Sequence, residues 1–90
     1  MTGQQQTHQE KLEATFSLLI MSIASNAMMA LGLTADPQNG QTSTDKHLAR
    51  FNIDLLVMLK DKSRNNLGND ETDLLNHILQ DLQMKFIQVK

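Results

Sequence analysis

The chain has no cysteine, no tryptophan and no tyrosine, only one proline and four glycines. Without cysteine there is no disulfide, no thiolate nucleophile and no cysteine-based zinc site. The three phenylalanines are the only aromatic residues and are not interleaved with cations, so stacked bases have no platform. Charge of one sign is also scarce: eight basic residues stand against ten acidic ones, a net charge of −2. That balance lacks the basic footprint of a nucleic-acid binder. The glycines stand singly at positions 3, 32, 40 and 68, so no glycine-rich loop can cradle a phosphate. Valine and isoleucine never alternate with polar residues over four positions, which removes the signal for a strand.

What remains is 90 residues, 40% of them hydrophobic. This is one domain at most, of a size that buries only about 60% of the surface its unfolded form exposes and is marginal as a lone monomer. Residues 1–9, MTGQQQTHQ, are polar and aperiodic and read as a disordered tail. Residues 10–90 read as a single all-α domain with helices at about 10–31, 45–64 and 69–88.

The stretch from Ala14 to Ala35 carries no charge. On a helical wheel Phe16, Leu19, Ile20, Ile23, Ala27, Ala30 and Leu31 share one side. Ser17, Met21, Ser22, Ser25, Asn26, Met28 and Met29 share the other. Gly32 supplies the left-handed residue that ends this helix, with Leu33 free to fold back on Met28 or Met29. Thr34–Thr44, with Pro37 and Asn39-Gly40, reads as an exposed connection long enough to leave the angle between its helices open. The second helix, capped by Thr44 or Asp45, has only Arg50, Asp54 and Asp61 as a polar stripe and is expected to be the most enclosed. Asn65-Asn66 ends it, and Lys60, Lys62 and Arg64 complement its dipole. The third helix begins at Gly68 or Asn69 and turns Leu74, Leu75, Ile78, Leu79, Leu82, Phe86 and Val89 inward. A short turn makes the last two helices an αα-hairpin, with Phe51 and Phe86 expected to meet at one end.

These segments resemble a known family. Phe16-Ser17, Ala24-Ser25 and Leu31-Gly32-Leu33 belong to the pattern, as do Asp36-Pro37 with Gly40. It continues through Ile53-Asp54-Leu55-Leu56, Met58-Leu59, Lys62, Asn66-Leu67, Glu71, Leu74-Leu75, Asp81-Leu82 and Phe86. In this order and spacing, from Phe16 to Val89, they are similar to a bacterial family of short helical proteins known only as a domain of unknown function, number eighteen forty-four. Two positions depart from it. Asn65 stands where the family has glycine, which keeps a left-handed cap. Gly68 stands where it has a hydroxyl, which keeps Glu71 as half of a capping box. The resemblance implies a small cytoplasmic bacterial protein and assigns no catalytic, cofactor-binding or metal-binding residue.

The residues themselves offer little chemistry. Asp73, His77 and Asp81 recur every fourth position on the third helix, the spacing of metal ligands, but on its solvated face with no fourth ligand. The serines of the first helix have no base beside them. Residues 14–35 are long enough to span a bilayer, yet three serines, two threonines, Asn26 and Gly32 interrupt them. Ser25-Asn26-Ala27 resembles a signal-peptidase site, but Glu10 and Glu13 around Lys11 have the wrong sign for a leader.

An uncharged helix with two coverable faces points instead to protein. The expectation is a long apolar first helix packed on a C-terminal αα-hairpin and completed by a homodimer through Ser17, Met21, Ser22, Ser25, Asn26, Met28 and Met29. That makes the chain a self-associating structural or adaptor-like interaction module. Membrane anchoring through residues 14–35 is the alternative, and a metal-dependent enzyme the more distant one.

Overall fold

The computed structural model describes residues 13–90. The tail expected over residues 1–9 and the first turns expected over 10–12 lie outside them. The described residues form three helices, α1 (Phe16–Ala30), α2 (Lys46–Lys62) and α3 (Asn69–Gln88). The helix α1 packs on both members of the α2/α3 hairpin, most extensively on α2.

α1 starts later than the wheel predicts. Glu13 and Ala14 are not helical, and Thr15, in extended conformation, accepts from the Leu18 amide at 3.1 Å. A hydroxyl that satisfies an orphan N–H sets the boundary, whereas apolar periodicity has no sharp edge. At the other end Gly32 has φ +76°, and Leu33 N–H donates to Met28 O while Gly32 N–H donates to Met29 O. This pair of bonds is a Schellman cap, as the Leu-Gly-Leu triplet predicts.

The connection to α2 is tighter than its length implies. Leu31 pairs with Thr44 in an isolated antiparallel bridge, and Asp45 N–H donates to Ala30 O at 2.7 Å. A side chain at Gly32 would place its Cβ 2.5 Å from Thr44 Oγ1. Between these joined ends the chain folds on itself. Asp36 O accepts from Gly40 N–H at 2.7 Å, and Asp36 N–H donates to Gln41 O at 2.8 Å. The loop therefore fixes how α2 leaves α1, where its length alone leaves that angle open.

Asp45 caps α2 by accepting from Leu48 N–H at 3.0 Å. Asn65, at φ 71°, takes the left-handed position after α2. Gly68 N–H donates to Glu71 Oε1 at 3.0 Å, the half capping box expected where no hydroxyl is present.

The core is small. Ile20, Ala27, Ala30 and Leu31 meet Ala49, Ile53 and Leu56 of α2 and Leu75, Leu79 and Leu82 of α3. The inward row of α3 holds as expected, with Ile78, Phe86 and Val89 half-buried against this cluster. Phe86 does not meet Phe51. Lys46 Nζ lies 3.9 Å from the centroid of the Phe86 ring, and Arg50 stands 5.8 Å from it. Lys46 also donates to the Phe86 and Val89 carbonyls, which α3 leaves unpaired at its end. Phe51 lies roughly 100° around α2 from Arg50 and so faces elsewhere.

Two substitutions test these joints. Gly32→Ala, which is both strained and crowded, should lower the unfolding free energy by about 2 kcal/mol or more in chemical denaturation. Gly40→Ala, with open space at φ +70°, should cost only about 1 kcal/mol. Lys46→Met should cost about 1–2 kcal/mol and speed amide exchange over the last turn of α3.

Candidate functional site

The helix expected to be most enclosed is instead open along one side. Of α2, only Ala49, Asn52, Ile53 and Leu56 are buried, while Leu48 is 48% exposed, Phe51 57% and Met58 43%. Those three, with half-buried Leu55 between them, recur at spacings of three, four and three, the seam of a helix that packs on another helix. Val57 is exposed on the far side and does not belong to this row. A narrow polar stripe signals that much of a helix is apolar, not that all of it is covered. Among the described residues two helices neighbour α2, and it has more apolar surface than they conceal.

α1 carries a second row, two of whose members meet the first across a groove. Leu19, Ser22, Asn26 and Met29 follow the same three-four-three spacing. Leu19, on the side expected to be core, is 46% exposed. Its wheel angle lies at the margin of the stripe that Ile20, Ala27 and Ala30 fill. Between the rows lies an open groove of about 540 Å³, walled by Met29 and Asn26 on one side and by Leu48, Phe51 and Leu55 on the other. The loop closes one end with Asp36, Gln41, Ser43 and Asp45.

Asn52 also lines the groove, and it is only 5% exposed. Its Nδ2 donates to Leu48 O at 2.9 Å, and among the described residues no group donates to its Oδ1. Among the described residues no buried side-chain oxygen or nitrogen lacks a partner, so this Oδ1 faces the open groove, where solvent reaches it. Sequence reading passed over Asn52, since its wheel position is flanked by leucines.

The seven residues singled out on α1 divide. Met28 is half-buried against the core, Met29 and Asn26 line the groove beside α2, and exposed Ser22 donates to Leu18 O at 2.9 Å. Met21 and Ser25 line a second opening of about 490 Å³ with Met28, Pro37 and Ile78. Ser17 is half-buried near the helix start. The polar trio on α3 is exposed and already engaged in part. His77 Nδ1 is 3.2 Å from Asp73 O, and Asp81 accepts from Lys85 at 2.5 Å. Among the described residues, no three histidine or acidic side chains lie close enough together to hold a metal ion.

Nor is any helix of the described residues long and apolar enough to cross a membrane. With 15 residues, α1 is about 22 Å long against a hydrocarbon core of about 30 Å. The charge-free run of residues 14–35 is broken by the Thr15 cap and by Gly32.

Asn52→Leu should leave thermal stability unchanged or raise it by up to about 1 kcal/mol, since it trades one hydrogen bond, to Leu48 O, for apolar contact. A loss of that size would show the amide to be part of what holds the fold.

The comparisons with known proteins bear on the whole of this architecture. No curated protein and no solved structure matches the chain significantly. A family model does, over residues 13–88, which include all three helices, the joining loop and both rows of the groove. The chain belongs to the family described as Domain of unknown function (DUF1844).

Proposed function

We propose that the chain is a self-associating interaction module whose α1/α2 face closes against a second copy. The observation that carries this reading is a pair of heptad-spaced rows, Leu19 to Met29 on α1 and Leu48 to Met58 on α2, whose Asn26, Met29, Leu48, Phe51 and Leu55 line one groove. Helices that present such rows pack in layers with side chains of one seated between those of the other. Two copies stacked by this face make a four-helix layer pair with α3 outside.

Three physical arguments favour a second copy as occupant. Of the ten large apolar side chains exposed among the described residues, four, Leu19, Leu48, Phe51 and Met58, lie on this face. Three of the ten core hydrophobic residues among the described ones are alanines, so the buried payload of these three helices is low. The face itself measures about 25 by 20 Å, or roughly 500 Å² in projection before side-chain relief is counted. That approaches the ~800 Å² of accessible surface that each partner contributes to a stable interface. Finally, Phe51 and Met58 stand on either side of Leu55 in one apolar row, so the face can complement itself about a twofold axis. Phe51 is the expected anchor, because a half-exposed aromatic ring gains most from burial and loses little side-chain entropy.

Phe51→Glu places a charge where the reading requires an apolar contact. It should raise the dimer dissociation constant at least about 100-fold, or ~3 kcal/mol, with helicity retained. Light scattering behind a size-exclusion column reads this as a fall from twice the chain mass to the chain mass. Ile87→Glu, at an 82% exposed position on α3, should leave the dimer intact. A wild-type chain that runs at single-chain mass over the whole micromolar range would overturn the proposal.

A further inference from the structure

The two ends of the α1/α2 face differ in charge, and the difference points to how two copies meet. At the end formed by the joining loop, Asp36 and Asp45 each use Oδ1 within the chain, on Gln38 N–H and Leu48 N–H. Each keeps a second carboxylate oxygen with no donor among the described residues, and the Asn52 Oδ1 lies in the same groove. This end presents acceptors. The other end presents donors. After Met58 the next position of the α2 row is Lys62, exposed and without an ion pair among the described residues. Arg64, 2.9 Å from Asp61, follows it just past the helix.

Resting on the self-association proposed above, we infer that the copies meet antiparallel, α2 against α2, about a twofold axis at Leu55. Leu55 is the midpoint of the row, seven residues from Leu48 and seven from Lys62. An axis there sets Leu48 against the partner's Lys62, and Phe51 against the partner's Met58. The apolar stem of the partner's Lys62 lies along Leu48 while its ammonium reaches the acidic mouth of the groove. The thioether of the partner's Met58 meets the Phe51 ring, a favourable sulfur–aromatic contact. A parallel arrangement would bring acid to acid at one end and lysine to lysine at the other, and like charges in contact are repulsive. Antiparallel α2 helices also set the partly positive start of each beside the partly negative end of the other, which is attractive. The register thus follows from one row of five residues and the sign of charge at its two ends.

The absence of cysteine makes the register directly readable with single-cysteine variants and a short bifunctional thiol cross-linker. Leu55→Cys should cross-link to itself, and Leu48→Cys should not. Phe51→Cys mixed with Met58→Cys should give more cross-linked dimer than either alone. Lys62→Glu should weaken association about tenfold at low salt, with a smaller effect at high salt. Self-cross-linking of Leu48→Cys as strong as that of Leu55→Cys would mean parallel helices and would overturn the inference. So would a dimer by mass in which neither Leu55→Cys nor the mixed pair cross-links. A single-chain mass in every variant and in the wild type would instead overturn the self-association itself.

Discussion

The junction at Gly32 governs the rest of the molecule. The residue takes a left-handed conformation, ends α1, and leaves no room for a side chain beside Thr44. Because the chain turns so tightly, Leu31 and Thr44 pair and Asp45 N–H reaches Ala30 O, so the C-terminus of α1 and the cap of α2 are one unit. That unit joins the end of α1 to the start of α2, and the two helices pack on each other. The groove between them and the alignment of their two rows follow from it. A longer or looser splice would let α2 roll until its leucines found the core, and the open face would not persist.

The opposite constraint acts on the hairpin. Lys46, one residue after the α2 cap, binds the last carbonyls of α3 and covers the Phe86 ring. Since Asp45 and Lys46 are adjacent, the first turn of α2 ties both other helices, one through a backbone bond and one through a long cation. With its start held from both sides, α2 cannot rotate to hide Leu48, Phe51, Leu55 and Met58 without breaking one tie. The exposed row is then a consequence of how the fold is pinned, and a second copy is the covering that the self-complementary shape and the opposed charges of that face favour.

Much of this was legible beforehand. Helix number, the Gly32 cap, the Asp45 cap, the hairpin and the inward row of α3 all follow from local chemistry, which is written in adjacent residues. The errors arose where the answer depends on neighbours. The start of α1 hung on Thr15, one hydroxyl in a uniformly uncharged stretch. Phe51 and Phe86 share an end of the hairpin but point to different sides: Lys46 covers the Phe86 ring, while Phe51 stands largely exposed at the groove. The row on α2 was present as a three-four-three spacing, yet its leucines surround the helix almost completely, and no wheel tells which third of such a helix is left uncovered. Asn52 was invisible for a similar reason: only packing reveals that an asparagine is buried.

The account stands or falls on whether the α1/α2 face is covered in solution. Met58 lies on that face and Met84 on the outer side of α3, and in the single chain they are comparably exposed, at 43% and 58%. Peroxide oxidation followed by mass spectrometry compares them within one molecule. The account predicts that Met58 is protected at high protein concentration and becomes as reactive as Met84 on dilution. Equal oxidation of the two at every concentration would contradict it.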